Sequence, residues 1–511
     1  MKRTMDRRRF LAEGCAACAG AAGLLAAPAL LRAQAKSGPF RIRVVYSLHG
    51  PQQEGPDWPN KGFDFVPVME HLNTELKARA PEFEFLPTLA SGPEQAEKVV
   101  AEDKASPVDG YIVCQMNCWN RVVQTVAATG KPVLYADFKY GGSGGFLVYT
   151  AAFLRAGTPN VGFVSSSLID DLIAAVKCFD VVRRGGSPAD FAAATARVRQ
   201  EKTPGPGRLS ARPDPLTTLS PEECLRRMKA SRILAVRGQE SGPAGEMMGI
   251  PVINVPFAEV NDAWRAADRD RAQEIAAGWK KTAQTVIGVG DETLESSAAF
   301  YLGMKDVLKK HGANAITINC LGGFYGGHIH AYPCLGFYEL CNEGLVGACE
   351  CDVRSTATMV AATALTEGRP GFISDPVIDT AKRQIIYAHC VASNRVFGPR
   401  GPANPIEILT HSEDRQGASL RSLLPAGYMT TTLEIHPDRR EILFHQGLAV
   451  GNDPNDRACR TKLCADPVGD IEKLFREWDV WGWHRVTFYG DLKEPVNGLA
   501  AAMGWKVVPE A

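Results

Sequence analysis

The feature that most constrains the fold is a regular alternation between residues 40 and 320. Short apolar runs rich in β-branched residues, such as "RIRVVYSL", "VDGYIVCQM" and "KPVLYAD", alternate with segments of helical spacing such as "FVPVMEHLNTELKARA". Strands alternating with amphipathic helices are typical of a parallel sheet covered by helices on its faces. The first part of the chain is therefore predicted to be of the α/β class.

The alternation also predicts how the chain divides. A first α/β domain is expected over residues 36–158 and a second over 159–346, interrupted by an exposed Pro-rich loop at 203–221. A long helix in the second domain is expected to end at Gly312, placed as a C-cap. Over residues 347–511 candidate strands outnumber helical runs, which predicts a β-rich C-terminal domain.

The N-terminus has the pattern of a signal peptide. Asp6-Arg7-Arg8-Arg9-Phe10-Leu11 is a twin-arginine pattern, and a weakly apolar stretch then leads to an A-x-A cleavage site at Ala33-Gln34-Ala35. Residues 1–35 are therefore predicted to direct export by the twin-arginine (Tat) machinery to the periplasm or another extracytoplasmic space. That route carries folded proteins, so a metal site fits it. An ordinary basic N-terminus ahead of a hydrophobic helix is the alternative.

Charge and cysteine content narrow the possible partners. The 57 basic and 57 acidic side chains cancel, so no overall field favours nucleic acid as a partner. Of the fourteen cysteines, Cys15 and Cys18 lie in the predicted signal peptide. Several of the remaining twelve lie inside strand-like or helix-like runs, which favours buried free thiols over a disulfide framework.

Four residues of the last domain combine the side chains that hold a divalent metal. Glu350 and Asp352 precede a helical run that begins near Ser355. One interpretation is that Asp352 or Ser355 caps this helix; the other is that the two acids have a chemical role. His389 ends the apolar run "QIIYAHC", and His484 opens the run "HRVTFYGD". Carboxylates with imidazoles suit manganese, iron or cobalt.

Other motifs give weaker indications. His328 and His330 in "GGFYGGHIHAYP", together with Trp119, are predicted substrate contacts; the alternatives are a solvated loop for the histidines and core packing for Trp119. The glycines of Gly141–Gly145 are interpreted as a loop without a nucleotide-binding pattern. Gly141–Gly145 has the spacing Gly-x-Ser-x-Gly but is not interpreted as a nucleophile elbow, and the chain contains no Walker sequence. Serine hydrolysis and nucleotide binding are therefore disfavoured.

The chain resembles the superfamily of L-fucose isomerase and L-arabinose isomerase. The runs that carry the resemblance are "PCLGFYELCNEGLVGACECDVRSTATMVAATALTEGRPGFISDP", "IIYAHC" and "GWHRVTFYGDLKEPVNGLAAAMG". The resemblance implies two Rossmann-like parallel-sheet domains followed by a β-rich C-terminal domain. It also implies a divalent metal, most often Mn²⁺, a free monosaccharide as substrate, and a homo-oligomer.

The resemblance also implies roles for single residues. Asp352 is similar to the carboxylate that serves as metal ligand and proton-transfer base, and His484 and His389 are similar to histidine ligands of the family. The family's other catalytic glutamate has no clean match upstream of "CECD", so Glu350 is assigned to it. The predicted function is metal-dependent aldose–ketose isomerisation through an ene-diol. The alternatives are an exported, non-catalytic carbohydrate-binding protein or another metal-dependent reaction on a carbohydrate.

Overall fold

The structure, a computed structural model, describes residues 38–511. The predicted signal peptide, residues 1–35 with Cys15 and Cys18, lies outside the described residues. The twelve cysteines of the described chain are all free, and all but the half-buried Cys351 are buried, which confirms the prediction of buried thiols.

A five-stranded parallel sheet forms the first layer, in the order β2-β1-β3-β4-β5. Its strands are β1 Phe40–Ser47, β2 Phe83–Ala90, β3 Gly110–Gln115, β4 Val133–Asp137 and β5 Val161–Val164. Its helices are α1 Val66–Arg79, α2 Pro93–Ala105, α3 Val122–Ala127, α4 Ser143–Ala156, α5 Ile169–Lys177, α6 Phe179–Arg183 and α7 Pro188–Lys202. The central strand β3 is buried over its whole length, as expected of a strand covered on both faces.

The start of α4 differs from the sequence interpretation. Gly141–Gly145 was interpreted as a loop, but α4 begins at Ser143 and contains Gly144 and Gly145 in its first turn. A Cβ on Gly144 would lie 2.9 Å from Trp483 Cη2, so a larger residue could not occupy this position without displacing that ring. The glycines therefore permit close packing of a helix start rather than flexibility.

A second five-stranded sheet follows, in the order β11-β10-β6-β8-β7. Its strands are β6 Ile233–Gly238, β7 Gly242–Met247, β8 Ile250–Pro256, β10 Ala315–Ile318 and β11 Val346–Cys349, all parallel except β7. Its helices are α8 Pro221–Ala230, α9 Phe257–Ala266, α10 Arg269–Thr282, α11 Asp291–His311, α12 Cys320–Tyr325, α13 Cys334–Asn342 and α14 Val353–Leu365. Helix α11 ends with Gly312 in the left-handed region at φ 57°, as predicted.

The C-terminal region contains a closed barrel. Its antiparallel strands run in the order β16-β19-β12-β13-β18-β17, and β17 pairs again with β16 to close the ring. They are β12 Phe372–Asp379, β13 Gln384–His389, β16 Met429–His436, β17 Glu441–Asn452, β18 Thr461–Pro467 and β19 Arg485–Tyr489. Closing the ring removes the exposed edges that an open sheet would present.

The remaining elements surround the barrel. Helix α15 Lys493–Met503 leads to β20 Lys506–Pro509, which adds in parallel to β17. Strands β9 Thr285–Ile287, β14 Ile406–Leu409 and β15 Ser419–Ser422 form a separate small sheet. Short 3₁₀ helices cover Thr380–Lys382, Pro437–Arg439, Ile471–Phe475 and Trp478–Trp481. Within residues 38–511 no helix combines the length and apolarity that a membrane crossing requires.

The two parallel layers and the β-rich C-terminal region confirm the predicted architecture in outline; the closure of the barrel was not predicted. Residues 203–220 carry no helix or strand and are mostly exposed, as predicted. Strand β5 lies after the predicted boundary at residue 158 but pairs in the first sheet, and β11 crosses the boundary at residue 347 within the second sheet. The exact division into domains stays a prediction.

Candidate metal centre

Barrel topology brings three polar side chains together. Strands β19, β12 and β13 are neighbours in that order. On the side of β12 that pairs with β19, Ser374 is opposite Arg485. On the side that pairs with β13, the next residue, Asp375, is opposite Ala388. His484 precedes Arg485 and His389 follows Ala388, so the register places both histidines beside Asp375 at one end of the barrel. His389 ends β13 and His484 immediately precedes β19, whereas Asp375 lies within β12, so the paired strands fix the positions of all three residues.

Glu350 reaches the same point from the second parallel sheet. It follows the last residue of β11, and both it and Cys351 adopt left-handed backbone conformations, at φ 63° and 53°. Such conformations cost roughly 1–3 kcal/mol each in residues other than glycine and are typical of functional sites. The turn directs the Glu350 carboxylate towards the barrel histidines.

The four side chains meet closely. Glu350 Oε1 lies 3.5 Å from His389 Nε2, and Glu350 Oε2 lies 3.4 Å from His484 Nε2. His484 Nε2 also lies 3.4 Å from Asp375 Oδ1. One ligand atom each of Glu350, His389 and His484 falls within 4.8 Å of the others. Atoms at such separations surround a point from which one ion could reach all of them.

The hydrogen bonding of this cluster is incomplete in a way that fits a cation. Asp375 Oδ1, His484 Nε2 and both ring nitrogens of His389 are buried and have no hydrogen-bond partner among residues 38–511. Leaving a buried polar atom unpaired costs about 1–3 kcal/mol, so several in one place call for a ligand. Two carboxylates with two imidazoles form a donor set that suits manganese, iron or cobalt. The residues present therefore fit a divalent metal.

The charges of the cluster are strongly coupled. Burial acts to lower the pKa of His389, but the adjacent Glu350 and Asp375 carboxylates outweigh it and raise the pKa to about 8. Burial likewise opposes the charge of His484, yet Glu350 and Asp352 hold its pKa well above the ordinary value. Burial raises the pKa of Asp375 to about 6. Protons on the two histidines therefore balance the negative charge of the carboxylates in the metal-free protein.

Asp352 lies beside this cluster and caps a helix, one of the two roles considered from the sequence; its role as a metal ligand or base stays a prediction. It is the N-cap of α14: Oδ1 accepts a hydrogen bond from the Ser355 backbone N–H at 3.0 Å, and Oδ2 lies 2.8 Å from the Ser355 hydroxyl. Oδ2 also accepts from Nδ1 of His484 at 2.9 Å, while the Nε2 atom of that ring points to Glu350. Asp352 thus holds the His484 ring in position, and its own carboxylate is directed to the start of α14.

Asp375 is the site residue that sequence reasoning missed. It lies in β12, in which all eight residues are buried, and it is itself 5% exposed. A carboxylate inside a fully buried strand is rarely placed there without a partner. The charge within the apolar run "GFISDPVID" is the signal that could have identified it.

Two residues of the cluster, Glu350 and Asp375, line a cleft with a volume of ≈ 370 Å³. All three parts of the fold line it: Asp57, Trp58, Cys118 and Trp119 from the first α/β layer, Leu321, Tyr325 and Glu350 from the second, and Asp375, Glu413 and Trp483 from the C-terminal region, with Pro56 beside them. This volume is in the range of small-molecule pockets, about 300–1,000 Å³.

Trp119 lies where a substrate contact was predicted. Its ring packs edge-on against Trp483, with centroids 5.2 Å apart, and is 51% exposed. Its backbone is left-handed at φ 64°. A large aromatic side chain left half exposed beside buried ligands offers an apolar face to a bound ring.

His328 and His330 lie elsewhere. The His328 ring stacks on Phe257, with centroids 5.6 Å apart, and the His330 ring lies 5.9 Å from that of Trp264. Both histidines are exposed, and neither is among the residues that line the cleft. These positions agree with the alternative of a solvated loop.

Comparison with known proteins gives distant relatives. No protein-family model matches the chain. The chain is 24% identical over 242 residues to sulfoquinovose isomerase of Priestia aryabhattai, covering 46% of this chain and 53% of that protein. It is 23% identical over 218 residues to sulfoquinovose isomerase of Alkalicoccus urumqiensis, covering 42% and 48%. The chain thus spans about half the length of the curated relatives it matches.

Among solved structures, a regulatory protein of the LacI family from Chloroflexus aggregans matches 32% of this chain and 74% of that chain. Its sequence identity is 13% and its TM-score 0.16, so the match carries no argument about fold or function. The relatives that the chain matches are proteins named sulfoquinovose isomerase.

Proposed function

We propose that this protein is a divalent-metal-dependent isomerase that interconverts the aldose and ketose forms of a free monosaccharide. One observation carries the proposal. Glu350, Asp375, His389 and His484 converge beside a cleft that Glu350 and Asp375 line, and several of their buried polar atoms have no hydrogen-bond partner within residues 38–511. The isomerase names of the distant relatives support the same class of reaction.

The four converging side chains would hold the metal, and we propose Mn²⁺ as its identity. When bound, such an ion polarises the carbonyl and hydroxyl oxygens of a substrate. The histidines would contribute neutral Nε2 atoms. For His484 this requires the ring proton to be on Nδ1, which donates a hydrogen bond to Asp352. The chain thus fixes the tautomer that ligation needs.

Glu350 is the residue best placed to move the proton. Its side chain is 31% exposed to the cleft, whereas that of Asp375 is 8% exposed. Burial opposes its ionisation, but the charges of His484 and His389 lower the pKa of Glu350 in the metal-free protein. Beside neutral histidines a bound cation would keep Glu350 ionised instead, so that it could accept a proton from the substrate carbon next to the carbonyl. A positioned base contributes on the order of 100- to 10,000-fold. Isomerisation through an ene-diol is completed when this proton is returned to the neighbouring carbon and the hydroxyl proton moves from the C2 oxygen to the C1 oxygen.

The charge of the cleft favours a neutral sugar. Four carboxylic acids, Asp57, Glu350, Asp375 and Glu413, line it, and none of its lining residues is lysine or arginine. Burial raises the pKa of Glu413 to about 8, and its Oε2 accepts a hydrogen bond from the Tyr325 hydroxyl at 2.9 Å. Such groups suit hydroxyl ligands and repel a sulfonate. We therefore expect neutral aldoses, rather than sulfoquinovose, to be the better substrates.

Deuterium exchange tests the proposal. The protein loaded with Mn²⁺ is incubated in D₂O with a panel of neutral aldoses and with sulfoquinovose, and NMR follows isomerisation and incorporation of deuterium next to the carbonyl. Isomerisation is expected in the wild type and in His330→Ala, a matched histidine outside the cleft, and its loss is expected in His484→Ala.

The other outcomes are equally informative. Sugar binding without isomerisation or exchange, in protein that holds the metal, would favour the non-catalytic carbohydrate-binding alternative. Absence of metal binding in the wild type would contradict the proposal. Export by the twin-arginine route and assembly into a homo-oligomer are further proposals, to be checked by cell fractionation of an Arg8→Lys, Arg9→Lys variant and by light scattering.

A further inference from the structure

A buried acid, Glu434, lies behind the metal centre. It is on β16, is 1% exposed, and faces the first turns of α14. Glu434 Oε2 lies 2.6 Å from the Ser355 hydroxyl, and Oε1 accepts from the backbone N–H of Ile435 at 2.8 Å and lies 3.0 Å from the Thr358 hydroxyl. No residue of the cleft lining contacts it by a hydrogen bond in the described chain. Its role must therefore pass through Ser355.

The Ser355 hydroxyl has two acidic neighbours but only one proton. Its Oγ lies 2.8 Å from Asp352 Oδ2 and 2.6 Å from Glu434 Oε2. If both acids were ionised, one of these short oxygen–oxygen contacts would contain no hydrogen and would be repulsive. One of the two acids must therefore carry a proton.

The proton belongs to Glu434. Asp352 already accepts hydrogen bonds from the His484 ring at 2.9 Å and from the Ser355 backbone N–H at 3.0 Å, so its oxygens have donors without a proton of their own. Glu434 forms no ion pair within the described residues. The charged groups that face it are Asp352 from the start of α14 and Arg485 from β19. Burial and the Asp352 charge raise the pKa of Glu434 to about 7.

We propose that Glu434 is a neutral carboxylic acid whose O–H donates to Ser355, which in turn donates to Asp352, so that Asp352 is free to accept the Nδ1 proton of His484. The chain of hydrogen bonds Glu434, Ser355, Asp352, His484 is thereby complete and has one direction. Glu434 is a positioning residue: it touches neither metal nor substrate and fixes the orientation of Asp352, which fixes the tautomer of a ligand. Outer-shell partners of this kind typically change metal affinity about 10- to 100-fold.

Glu434→Gln is the decisive variant. The amide N–H₂ replaces the donating O–H and the amide oxygen keeps the two acceptor contacts, so Mn²⁺ affinity is expected to stay within about threefold of the wild type. Ser355→Ala removes the hydroxyl and so interrupts the chain of hydrogen bonds, but the backbone N–H of residue 355 still donates to Asp352 and the helix stays capped. This variant is expected to weaken Mn²⁺ binding about tenfold or more. Thr358→Ala, which touches Glu434 but not Asp352, is the matched control and is expected to bind as the wild type does.

Infrared difference spectroscopy reads the protonation directly. The wild-type spectrum minus that of Glu434→Gln, both at pH 6 without metal, should contain the C=O band of a protonated carboxylic acid. Absence of that band, or loss of Mn²⁺ affinity in Glu434→Gln as large as in Ser355→Ala, would overturn the inference. The role at the metal rests on the proposed function, but the infrared band does not. Wild-type protein that shows the band without binding Mn²⁺ would contradict the proposed function and leave the protonation of Glu434 established.

Discussion

Replacing Asp352 and Asp375 by asparagine separates the two roles assigned to these acids. Asparagine caps a helix about as well as aspartate, so Asp352→Asn retains the start of α14. The amide nitrogen of the new asparagine cannot accept a hydrogen bond from Nδ1 of His484. If that nitrogen donates to Nδ1, the ring proton moves to Nε2, where it blocks ligation. Mn²⁺ affinity is expected to fall about 10- to 100-fold. Asp375→Asn removes a charged ligand itself and should weaken binding further.

The stabilities of the metal-free variants should move in opposite directions. The pKa of Asp352 is lowered to about 2 against burial by His484 and Ser355, so its charge contributes stability that is present above pH 4 and lost as the pH falls through 2. At 1.36 kcal/mol per unit, Asp352→Asn should cost about 2 kcal/mol near pH 7. Burial instead raises the pKa of Asp375 to about 6, so at pH 8 its ionised form destabilises the fold. Asp375→Asn should leave the free energy of unfolding unchanged or increased.

Urea unfolding in EDTA and Mn²⁺ titration by electron paramagnetic resonance measure the two quantities on the same preparations. The signature is a stable Asp375→Asn protein with almost no Mn²⁺ affinity beside a destabilised Asp352→Asn protein with weakened affinity. A greater loss of affinity in Asp352→Asn than in Asp375→Asn would refute the assignment and restore Asp352 as a direct ligand.

Three further predictions follow from the same contacts. Because the pKa of His389 is raised to about 8, its charge stabilises the metal-free fold fully below pH 6.5, and this stability is lost as the pH rises through 8. Mn²⁺ binding needs the neutral ring, so a titration should show that the Mn²⁺ affinity falls and that more protons are released on binding as the pH is lowered below 8. Glu510→Ala leaves the fully buried Arg485 without its carboxylate partner at 2.9 Å, so urea unfolding should show a loss of about 3–5 kcal/mol, and an unchanged midpoint would contradict the role of this pair. Trp119→Ala should leave the free energy of unfolding within about 0.5 kcal/mol, since the ring is 51% exposed, but weaken sugar binding by about 1 kcal/mol in calorimetry; equal binding would exclude the ring as a substrate contact.

Local pattern was enough to predict the frame of the site. The alternation of apolar runs and helices indicated the parallel layers, and His389 and His484 were expected at strand ends, where β13 ends and β19 begins. These features depend on residues that are near each other in the sequence. The barrel was not predicted because, apart from local pairs such as β16 with β17, its ring depends on pairing between strands that are far apart in the sequence, such as β12 with β19 and β13 with β18.

The choice between two acids could not be made from the sequence. Glu350 and Asp352 are separated by one residue, and either was compatible with capping or ligation. The difference comes from the left-handed conformations of Glu350 and Cys351, which turn the first carboxylate to the barrel and leave the second beside the backbone N–H groups of α14. Neither residue is glycine, so composition gave no sign of the turn.

Departures from local preference concentrate at the metal centre, and this coincidence has an energetic meaning. Two left-handed residues, a carboxylate in a buried strand and unpaired histidine nitrogens together cost several kcal/mol by ordinary estimates. Contacts elsewhere must offset that cost in the free protein, whereas a bound cation would satisfy the unpaired atoms directly. Because Glu350 comes from the second parallel sheet and the other ligands from the barrel, the ion would also join the two parts. At a concentration 100 times its Kd, a ligand that binds only the folded state adds about 2.7 kcal/mol. The folding stability and the catalytic competence of this chain should therefore depend on the same ion.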